Sequence, residues 1–358
     1  MGETGNARTD APVITVVIPV RNEATSIDVC LQSIVAQDLG TGSLEILVID
    51  GRSTDDTRER IRSWMTRVSS VRLLDNPRGI TPSALNIGIR AATGSVIARM
   101  DGHSQAPPDY LSRGLADLAE TGAWAVGGQM IRVGTTPTTE AIAAATMSPF
   151  GVGDAAHNYA TERMWAETVF LGMWPTWVFE RVGLFDEELV RNQDDEFSFR
   201  IREVGGKILF DPAIHMAYQP RATYGALFDQ YRQYGMWKIR VLQMHPRSLR
   251  PRHWVPMLWV GWLIVTAIGS FALAPFAVLF VIGAGAYLLV MLVAAIRMRG
   301  GLAHSCRVVA AFLTLHLGYG VGFWQGLFRF APRWFVRRKG SPPRMDRNLG
   351  ERPEVSVT

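Results

Sequence analysis

The sequence predicts an α/β protein in which a doubly wound sheet is followed by C-terminal transmembrane helices. Strand and helix signals alternate over the first hundred of the 358 residues, which is the pattern of sheets covered by helices on both faces. Residues 255–274 and 276–296 are almost free of charge, and each range has the roughly 20 residues that a helix needs to cross a bilayer. The hydrophobic residues are therefore divided between a mixed soluble part and an apolar C-terminal part.

The elements of the first part each have a sequence signal. Ile14–Val20 is a continuous apolar, β-branched run, which indicates a strand buried on both faces of a parallel sheet. Thr81 and Pro82 combine a helix cap with proline at the first helical position. The other predicted strands are 44–49, 71–74, 95–100, 124–133 and 207–211, and the predicted helices are 27–35, 55–67, 81–92 and 195–203.

Residues 134–165 differ from the alternating elements around them. They are rich in Thr, Ala and Gly and lack clear periodicity. We predict a long, partly helical excursion that acts as a mobile active-site element.

Two aspartates end strands in equivalent positions. Asp50 and Asp101 each follow a predicted strand and each precedes a glycine. Ligands of doubly wound sheets bind at the carboxyl ends of strands. One such aspartate could simply cap the next turn, but two of them favour a binding site.

The net charge of +5 raises the question of a nucleic-acid partner. The basic residues, however, crowd on either side of the apolar region. This distribution agrees with the positive-inside rule and predicts that the basic residues contact anionic lipid headgroups. It does not favour a nucleic-acid partner. The residues are Lys238, Arg240, Arg247, Arg250 and Arg252 before the region, and Arg329, Arg333, Arg337, Arg338 and Lys339 after it.

A third apolar stretch, 308–328, is interrupted by His316 and four glycines. If two helices cross the membrane and the sheet domain is cytoplasmic, a third crossing would export the basic residues 329–347 against the positive-inside rule. Either 308–328 spans the membrane and the rule is broken, or this segment re-enters the membrane or lies at its interface; we favour the second alternative.

The location follows from two further features. Cys30 and Cys306 lie too far apart in the chain to form a disulfide framework or a zinc motif, and residues 1–12 lack an apolar core. We predict a multi-pass protein of the inner or plasma membrane with its sheet domain in the cytoplasm.

Five segments between residues 12 and 220 bear a specific resemblance when they are taken in order. They are VVIPVRNEA, VIDGRSTDDT, NPRGITPSALNIGIRAATG, ARMDGH and GLFDEELVRNQDDEFSFRIREVGG. This set resembles family 2 of the glycosyltransferases, which have the GT-A fold, and in particular its ExoA-like branch of succinoglycan biosynthesis. The resemblance implies an inverting hexosyltransferase that moves one sugar from a nucleotide-diphosphate sugar to a polyprenyl-linked saccharide in cell-surface or exopolysaccharide synthesis.

The resemblance also implies a nucleotide-sugar site at the strand ends. Asp50 would accept a hydrogen bond from the base, and Arg78 would contact base or phosphate unless it is a solvated surface arginine. A UDP-sugar is favoured as donor, with a GDP-sugar as the other choice. The implied binding residues are Pro19, Arg21, Glu23, Asp50, Arg78, Asp101 and Gly102.

Asp101 and His103 occupy the Asp-x-Asp position at which the family holds a divalent metal. Mg²⁺ prefers oxygen ligands, whereas Mn²⁺ also accepts imidazole. We therefore expect dependence on Mn²⁺ or Mg²⁺, with Mn²⁺ at least as effective. The alternative is that His103 is a turn residue without a ligand role.

By the same resemblance, Asp194 is the candidate general base that takes a proton from the acceptor hydroxyl. Asp195 and Glu196 compete for this role, and three adjacent acids can also simply favour a helix N-terminus. Gln193 stands where the family usually has Glu. Trp174, Gln193 and Asp195 are candidate acceptor contacts, although core packing is equally compatible with Trp174.

Two features bear on the acceptor and on rival functions. A phosphate acceptor needs no base, so the acids favour a sugar hydroxyl; a polyprenyl-phosphate sugar synthase, similar to dolichyl-phosphate-mannose synthases, is the alternative. Gln230 to Tyr234 departs from the Gln-x-x-Arg-Trp of processive relatives, which favours single-sugar addition. A nicotinamide-dependent enzyme is disfavoured because PVRNEA replaces the glycine-rich loop after the first strand.

These signals divide the chain into five regions. They are a disordered N-terminus (1–12), a GT-A catalytic domain (13–235), a basic juxtamembrane segment (236–254), a membrane domain (255–328) and a basic, partly disordered tail (329–358).

Overall fold

A computed structural model describes residues 14–40, 42–153 and 155–334; the predictions for 1–12 and for the tail from 335 lie outside these residues. Within them, eight strands form one sheet in the order β3-β2-β1-β4-β7-β5-β8-β6. The strands are β1 Ile14–Val20, β2 Leu44–Asp50, β3 Val71–Asp75, β4 Val96–Arg99, β5 Ala125–Arg132, β6 Met164–Trp165, β7 Phe170–Pro175 and β8 Ile208–Tyr218.

Helices cover both faces of the sheet and then form the C-terminal region. In chain order they are α1 Ile27–Val35, α2 Thr57–Met65, α3 Thr81–Ala91, α4 Tyr110–Thr121, α5 Pro137–Thr146, α6 Pro149–Val152, α7 Trp177–Val182, α8 Gln193–Glu203, α9 Tyr224–Met244, α10 Pro251–Gly269, α11 Ala274–Ile296 and α12 Gly301–Arg329. Short 3₁₀ turns occur at Ala156–Asn158, Pro246–Ser248 and Ala331–Trp334.

The strand directions bring most of the carboxyl ends to one edge of the sheet. β1 pairs in parallel with β2 and β4, and β2 pairs in parallel with β3. β7 is antiparallel to both β4 and β5, so β5 and its parallel neighbour β8 run in the direction of β1. The carboxyl ends of β1, β2, β3, β4, β5 and β8 therefore lie at the same edge. The predicted mixed, doubly wound α/β sheet is confirmed.

Alternate residues of β1 serve the two cores on the two faces. Val16 and Ile18 pack with Leu31 of α1, whereas Val17 packs on the other face with Ile89 of α3. Such a strand has no solvent-exposed face, which is why its sequence is apolar apart from Thr15, whose hydroxyl donates to Glu45.

The sequence missed β7 and shortened β8. β7 contains Gly172 and ends at Pro175, two residues that weaken a strand signal. β8 continues past Pro212 to Tyr218, with an irregularity in its pairing with β5. Residues 134–165 are partly helical, as expected, and their mobility stays a prediction.

The predicted re-entrant form of 308–328 is wrong, because α12 is one continuous helix through that range. Of the four glycines in that range, three are packing positions on α9, and Gly320 packs on Pro256 and Val260 of α10. An added Cβ would lie 2.8 Å from the Phe228 carbonyl oxygen at Gly318, 1.9 Å from that of Arg232 at Gly322, and 2.5 Å from that of Met236 at Gly326. Interfacial placement of this segment stays a prediction.

Among the described residues, α11 and α12 are long and apolar enough to cross a membrane, with mean hydropathy of 2.6 and 1.4. α11 agrees with the predicted span 276–296, and only 6% of its apolar window is buried, against 50% in α12. α10 begins with Arg252 and His253 and does not meet the same standard, and it ends at Gly269, short of the predicted limit of 274. The span 255–274 stays a prediction.

Candidate active site

A cavity of about 900 Å³ runs from the carboxyl edge of the sheet to the C-terminal helices. Because β1 to β4 end at this edge, the residues that follow them are brought together. The lining includes Arg21 after β1, Gly51 after β2, Asn76 after β3, Asp101 after β4, Arg132 at the end of β5 and Asp194 at the start of α8.

Most of the sequence-predicted site residues line this cavity. They are Pro19, Arg21, Glu23, Asp101, His103, Gln193, Asp194 and Asp195. Gly102 lies between two of them, and a Cβ there would lie 2.7 Å from Cγ1 of Val20, so the turn after β4 needs glycine for its close approach to β1. Asp50, Arg78 and Trp174 are not among the lining residues.

Asp50 is a structural carboxylate in this fold. It is 1% exposed, and it accepts hydrogen bonds from Arg58 Nη1 at 2.7 Å and from the backbone amide of Ser53 at 3.3 Å. Its oxygens hold the start of α2 in place in this structure, and the contact of Asp50 with the base stays a prediction. Asn76, which the sequence did not single out, lines the cavity, and its Oδ1 has no hydrogen-bond partner among the described residues.

Arg78 and Trp174 also stabilise the fold outside the cavity. Arg78 forms an exposed ion pair with Glu187, so the surface alternative applies to it. Trp174 is 5% exposed and packs against the rings of Phe179, Phe185 and Phe197, with centroids 5.8–6.1 Å apart. Its predicted acceptor contact is wrong, because the indole belongs to the core.

The candidate metal ligands face the cavity beside a second carboxylate. His103 Nδ1 lies 3.0 Å from Oε1 of Glu23, a hydrogen bond that raises the pKa of His103 although burial opposes it. Metal-binding histidines commonly bond a carboxylate through the other ring nitrogen, so the pair leaves Nε2 for a cation. The described residues contain no group of three or more metal-ligating side chains, so other ligands would have to come from the diphosphate and water.

Arg99 is a site residue that the sequence analysis missed. Its guanidinium donates to Asp101 Oδ1 at 3.0 and 3.2 Å and lies 3.9 Å from Asp194 Oδ2. Burial would lower the pKa of Arg99, but the charges of Asp101 and Asp194 raise it. A signal existed: Arg99 is two residues before Asp101 at a strand end, where side chains at this spacing point to the same face.

The three adjacent acids of α8 have different surroundings. Asp195 bonds Lys238 Nζ at 2.5 Å; burial would raise its pKa, but Lys238 lowers it to about 2. Glu196 is fully buried. Its Oε1 accepts a hydrogen bond from Arg200 Nε at 2.8 Å and lies 2.9 Å from His245 Nε2. Asp194 lines the cavity with 46% of its side chain exposed. Asp194 is thus the most exposed of the three acids, whereas Asp195 also lines the cavity but is paired with Lys238.

Five basic residues expected at lipid headgroups instead join the sheet domain to the C-terminal region. Lys238 pairs with Asp195, Arg240 and Arg333 pair with Glu188, and Arg250 and Arg252 pair with Glu167. This part of the headgroup prediction is wrong, because the sequence shows where charge lies along a helix but not which acids approach it. Their positive charge stabilises packing within the protein.

Comparison with known proteins adds family evidence. A family model described as glycosyl transferase family 2 matches residues 15–181. The succinoglycan biosynthesis protein ExoA of Rhizobium meliloti is 30% identical over 331 residues, which cover 89% of this chain and 96% of that protein. Glycosyltransferase AglE of Haloferax volcanii is 29% identical over 70% of this chain and 80% of its own length.

A third relative is the dolichyl N-acetyl-alpha-D-glucosaminyl phosphate 3-beta-D-2,3-diacetamido-2,3-dideoxy-beta-D-glucuronosyltransferase of Methanococcus voltae, 27% identical over 62% of this chain and 71% of that protein. Among solved structures, the mannosyltransferase PcManGT from Pyrobaculum calidifontis, in complex with GDP-Man and Mn²⁺, superposes with a TM-score of 0.57 at 20% identity. The superposition covers 90% of this chain and 88% of that one, and it shows a shared fold.

Proposed function

The chain belongs to glycosyl transferase family 2, and from that premise we propose that it transfers one sugar, with inversion, from a nucleotide-diphosphate sugar to a hydroxyl of a polyprenyl-linked saccharide. The main support is that Asp101, His103 and Asp194 line one cavity whose far end lies among apolar helices. The names of the relatives, which concern succinoglycan and a dolichyl-linked sugar, support a role in cell-surface or exopolysaccharide synthesis.

The nucleotide would bind where β1 to β4 end. Arg21 offers a cation for the phosphates, and Asp50 stays the proposed acceptor for a base N–H, with the unpaired Oδ1 of Asn76 as a second acceptor at the same edge. We propose a UDP-sugar as donor. A GDP-sugar is the second donor to test, since PcManGT was solved with GDP-Man.

The donor set at the end of β4 fits a divalent cation. Asp101 supplies a carboxylate and His103 an imidazole that Glu23 orients. A bound metal would neutralise charge on the departing diphosphate. Mn²⁺ suits this mixture of oxygen and nitrogen better than Mg²⁺.

Asp194 is placed to act as general base in a single displacement. It would accept the proton of the acceptor hydroxyl while that oxygen attacks the anomeric carbon and the diphosphate departs with the electrons of the broken bond. Arg99 bonds Asp101 and lies near Asp194, so its guanidinium would fix the positions of the two carboxylates relative to each other. The alternative of a polyprenyl-phosphate sugar synthase is not favoured, because a phosphate nucleophile is already ionised.

The protein would be held at the membrane by its C-terminal helices, with the sheet domain in the cytoplasm. Large apolar side chains of α10 and α11 are exposed, among them Val265 at 60%, Ile268 at 67% and Val281 at 68%. Surface of this kind is stable in lipid and unfavourable in water. We propose that α10 and α11 cross the membrane while α12, packed along the polar helix α9, stays at the interface.

This topology predicts that residues following α12 are cytoplasmic. A reporter that is active only in the periplasm, fused after Lys339, is expected to be inactive, while a cytoplasmic reporter at the same site is active. A reporter fused in the turn between α10 and α11, after Phe271, serves as the matched control and is expected to show periplasmic activity. Periplasmic activity at Lys339 would contradict the arrangement.

The proposed reaction is tested by a donor screen with detergent-solubilised protein, several nucleotide sugars and a lipid extract as acceptor. We expect one nucleotide sugar to label a lipid-linked product, with an inverted anomeric configuration detectable by NMR. Transfer should require a divalent cation, with Mn²⁺ at least as effective as Mg²⁺. Retention of configuration would contradict the mechanism, and full activity in EDTA would contradict the metal site.

A further inference from the structure

We propose that the cavity contains a second anion subsite around Arg132, which binds the phosphate or diphosphate that joins the acceptor saccharide to its lipid. The inference rests on the proposed function, because it assigns one part of the acceptor to one part of the cavity.

Arg132 is a cation without an acidic partner among the described residues. It is the last residue of β5, half-buried, and lines the cavity. Its Nη1 donates to Oδ1 of Asn158 at 3.2 Å and to the carbonyl oxygen of Thr146 at 3.4 Å, and both acceptors are neutral. A guanidinium removed from water is stabilised when an anion compensates its charge.

A neighbouring histidine does not offset the charge of Arg132. His157 lines the same cavity, and its pKa falls to about 4 because of burial and then of the charges of Arg252 and Arg132. The imidazole is therefore neutral at physiological pH. Asp195 pairs with Lys238 and Glu167 pairs with Arg252, so these two acids already have cationic partners.

An unpaired donor belongs to the same cavity. Tyr319 of α12 lines the cavity, and its hydroxyl is buried without a hydrogen-bond partner among the described residues. A buried hydroxyl that lacks a partner costs free energy, and an oxyanion would supply the missing acceptor. The Arg132 guanidinium thus lacks an anion and the Tyr319 hydroxyl lacks an acceptor, and phosphate oxygens would provide both.

The C-terminal helices add apolar residues to the lining, with Val255 and Pro256 from α10 and Leu315 from α12. The cavity wall therefore changes from the polar sheet edge at Asp194, through the cations, to hydrocarbon-lined helices. A polyprenyl-linked saccharide has the same order of groups, from polar sugar through charged phosphate to hydrocarbon chain.

The subsite is separate from the donor diphosphate site. In the sheet, β7 lies between β4, which precedes Asp101, and β5, which ends at Arg132. Two strand spacings place these ends about 10 Å apart. The donor and acceptor phosphates can therefore be bound at the same time, with the reacting groups between them.

The experiment compares the wild type with Arg132→Gln, using decyl diphosphate as probe. In the wild type, decyl diphosphate is expected to inhibit transfer in competition with the lipid-linked acceptor and not with the nucleotide sugar. Arg132→Gln should raise the acceptor KM by about 10-fold to 100-fold, the value of a charged hydrogen bond, and weaken inhibition by the probe to the same extent. The KM for the nucleotide sugar should not change, and Arg132→Lys should recover part of the loss.

The controls distinguish loss of this subsite from a general loss of positive charge near the membrane. Arg247→Gln removes an exposed charge near the membrane outside the cavity lining and should leave the acceptor KM unchanged. An unaltered acceptor KM in Arg132→Gln, equal inhibition by inorganic diphosphate, or equal inhibition by phosphatidylglycerol micelles would overturn the proposal. If Arg132→Gln unfolds, the competition pattern of decyl diphosphate in the wild type decides the matter alone. Failure of the wild type to label any lipid-linked product, with nucleotide-sugar binding intact, would refute the proposed function instead.

Discussion

The Asp194→Asn variant is expected to lose transfer by about 10²-fold to 10⁴-fold while it still binds the nucleotide sugar, since this is the usual contribution of a general base. Asparagine keeps the shape of the side chain but cannot accept the proton of the acceptor hydroxyl. Asp194 is the most exposed member of its acidic cluster, and Arg99 lies 3.9 Å from its Oδ2. The measurement is kcat for sugar transfer, with donor affinity determined separately by isothermal titration.

Two further variants distinguish a catalytic effect from a structural one. Asp229→Asn changes an exposed aspartate of α9 that pairs with Arg232, and it should leave kcat unaltered. Asp195→Asn leaves the buried Lys238 without its partner, so it should lower the unfolding temperature as well as activity. If Asp194→Asn retains transfer within about ten-fold of the wild type, the proton is accepted elsewhere and the assignment fails.

Much of the sheet could be predicted because burial of its central strands leaves a clear pattern in the sequence. β1 and β2 are buried on both faces, so their sequences are apolar without alternation and their boundaries are visible. β7 could not be found in this way, since Gly172 and Pro175 interrupt its signal and its place between β4 and β5 depends on long-range pairing.

A site residue could be predicted where its position at the end of a strand brings it to the cavity. It could not be predicted where an ion pair with a residue distant in sequence decides whether the side chain is available. Asp101 and His103 follow β4 and reach the cavity for that reason. Asp50 ends β2 in the same manner, but Arg58 from α2 occupies its carboxylate. The choice between Asp194 and Asp195 depends on Lys238, which is more than forty residues away in the sequence.

The glycines of α12 gave a misleading signal for a related reason. In the sequence they suggested a weak membrane segment, because glycine lowers helix propensity. In the structure Gly318, Gly322 and Gly326 recur every four residues on one face and let α12 approach the backbone of α9. This small-residue pattern is typical of closely packed membrane-associated helices.

The Gly322→Ala variant is therefore expected to be strongly destabilised. Its Cβ would lie 1.9 Å from the carbonyl oxygen and 2.7 Å from the carbonyl carbon of Arg232, so backbone, not a flexible side chain, would have to move. Overpacking of this kind usually costs about 1–3 kcal/mol, and a contact with backbone belongs at the upper end. The measurement is the thermal unfolding temperature in detergent.

The matched control for this variant is Gly285→Ala in α11, where an added Cβ meets nothing within 4 Å. It should be neutral or gain up to about 1 kcal/mol from helix propensity. Because α9 supplies Tyr234 and Lys238 to the cavity and α12 supplies Tyr319, separating the two helices should weaken acceptor use more than nucleotide binding. Equal stability of the two variants would mean that α9 and α12 are not in contact, and the acceptor end of the cavity would then lose one of its walls.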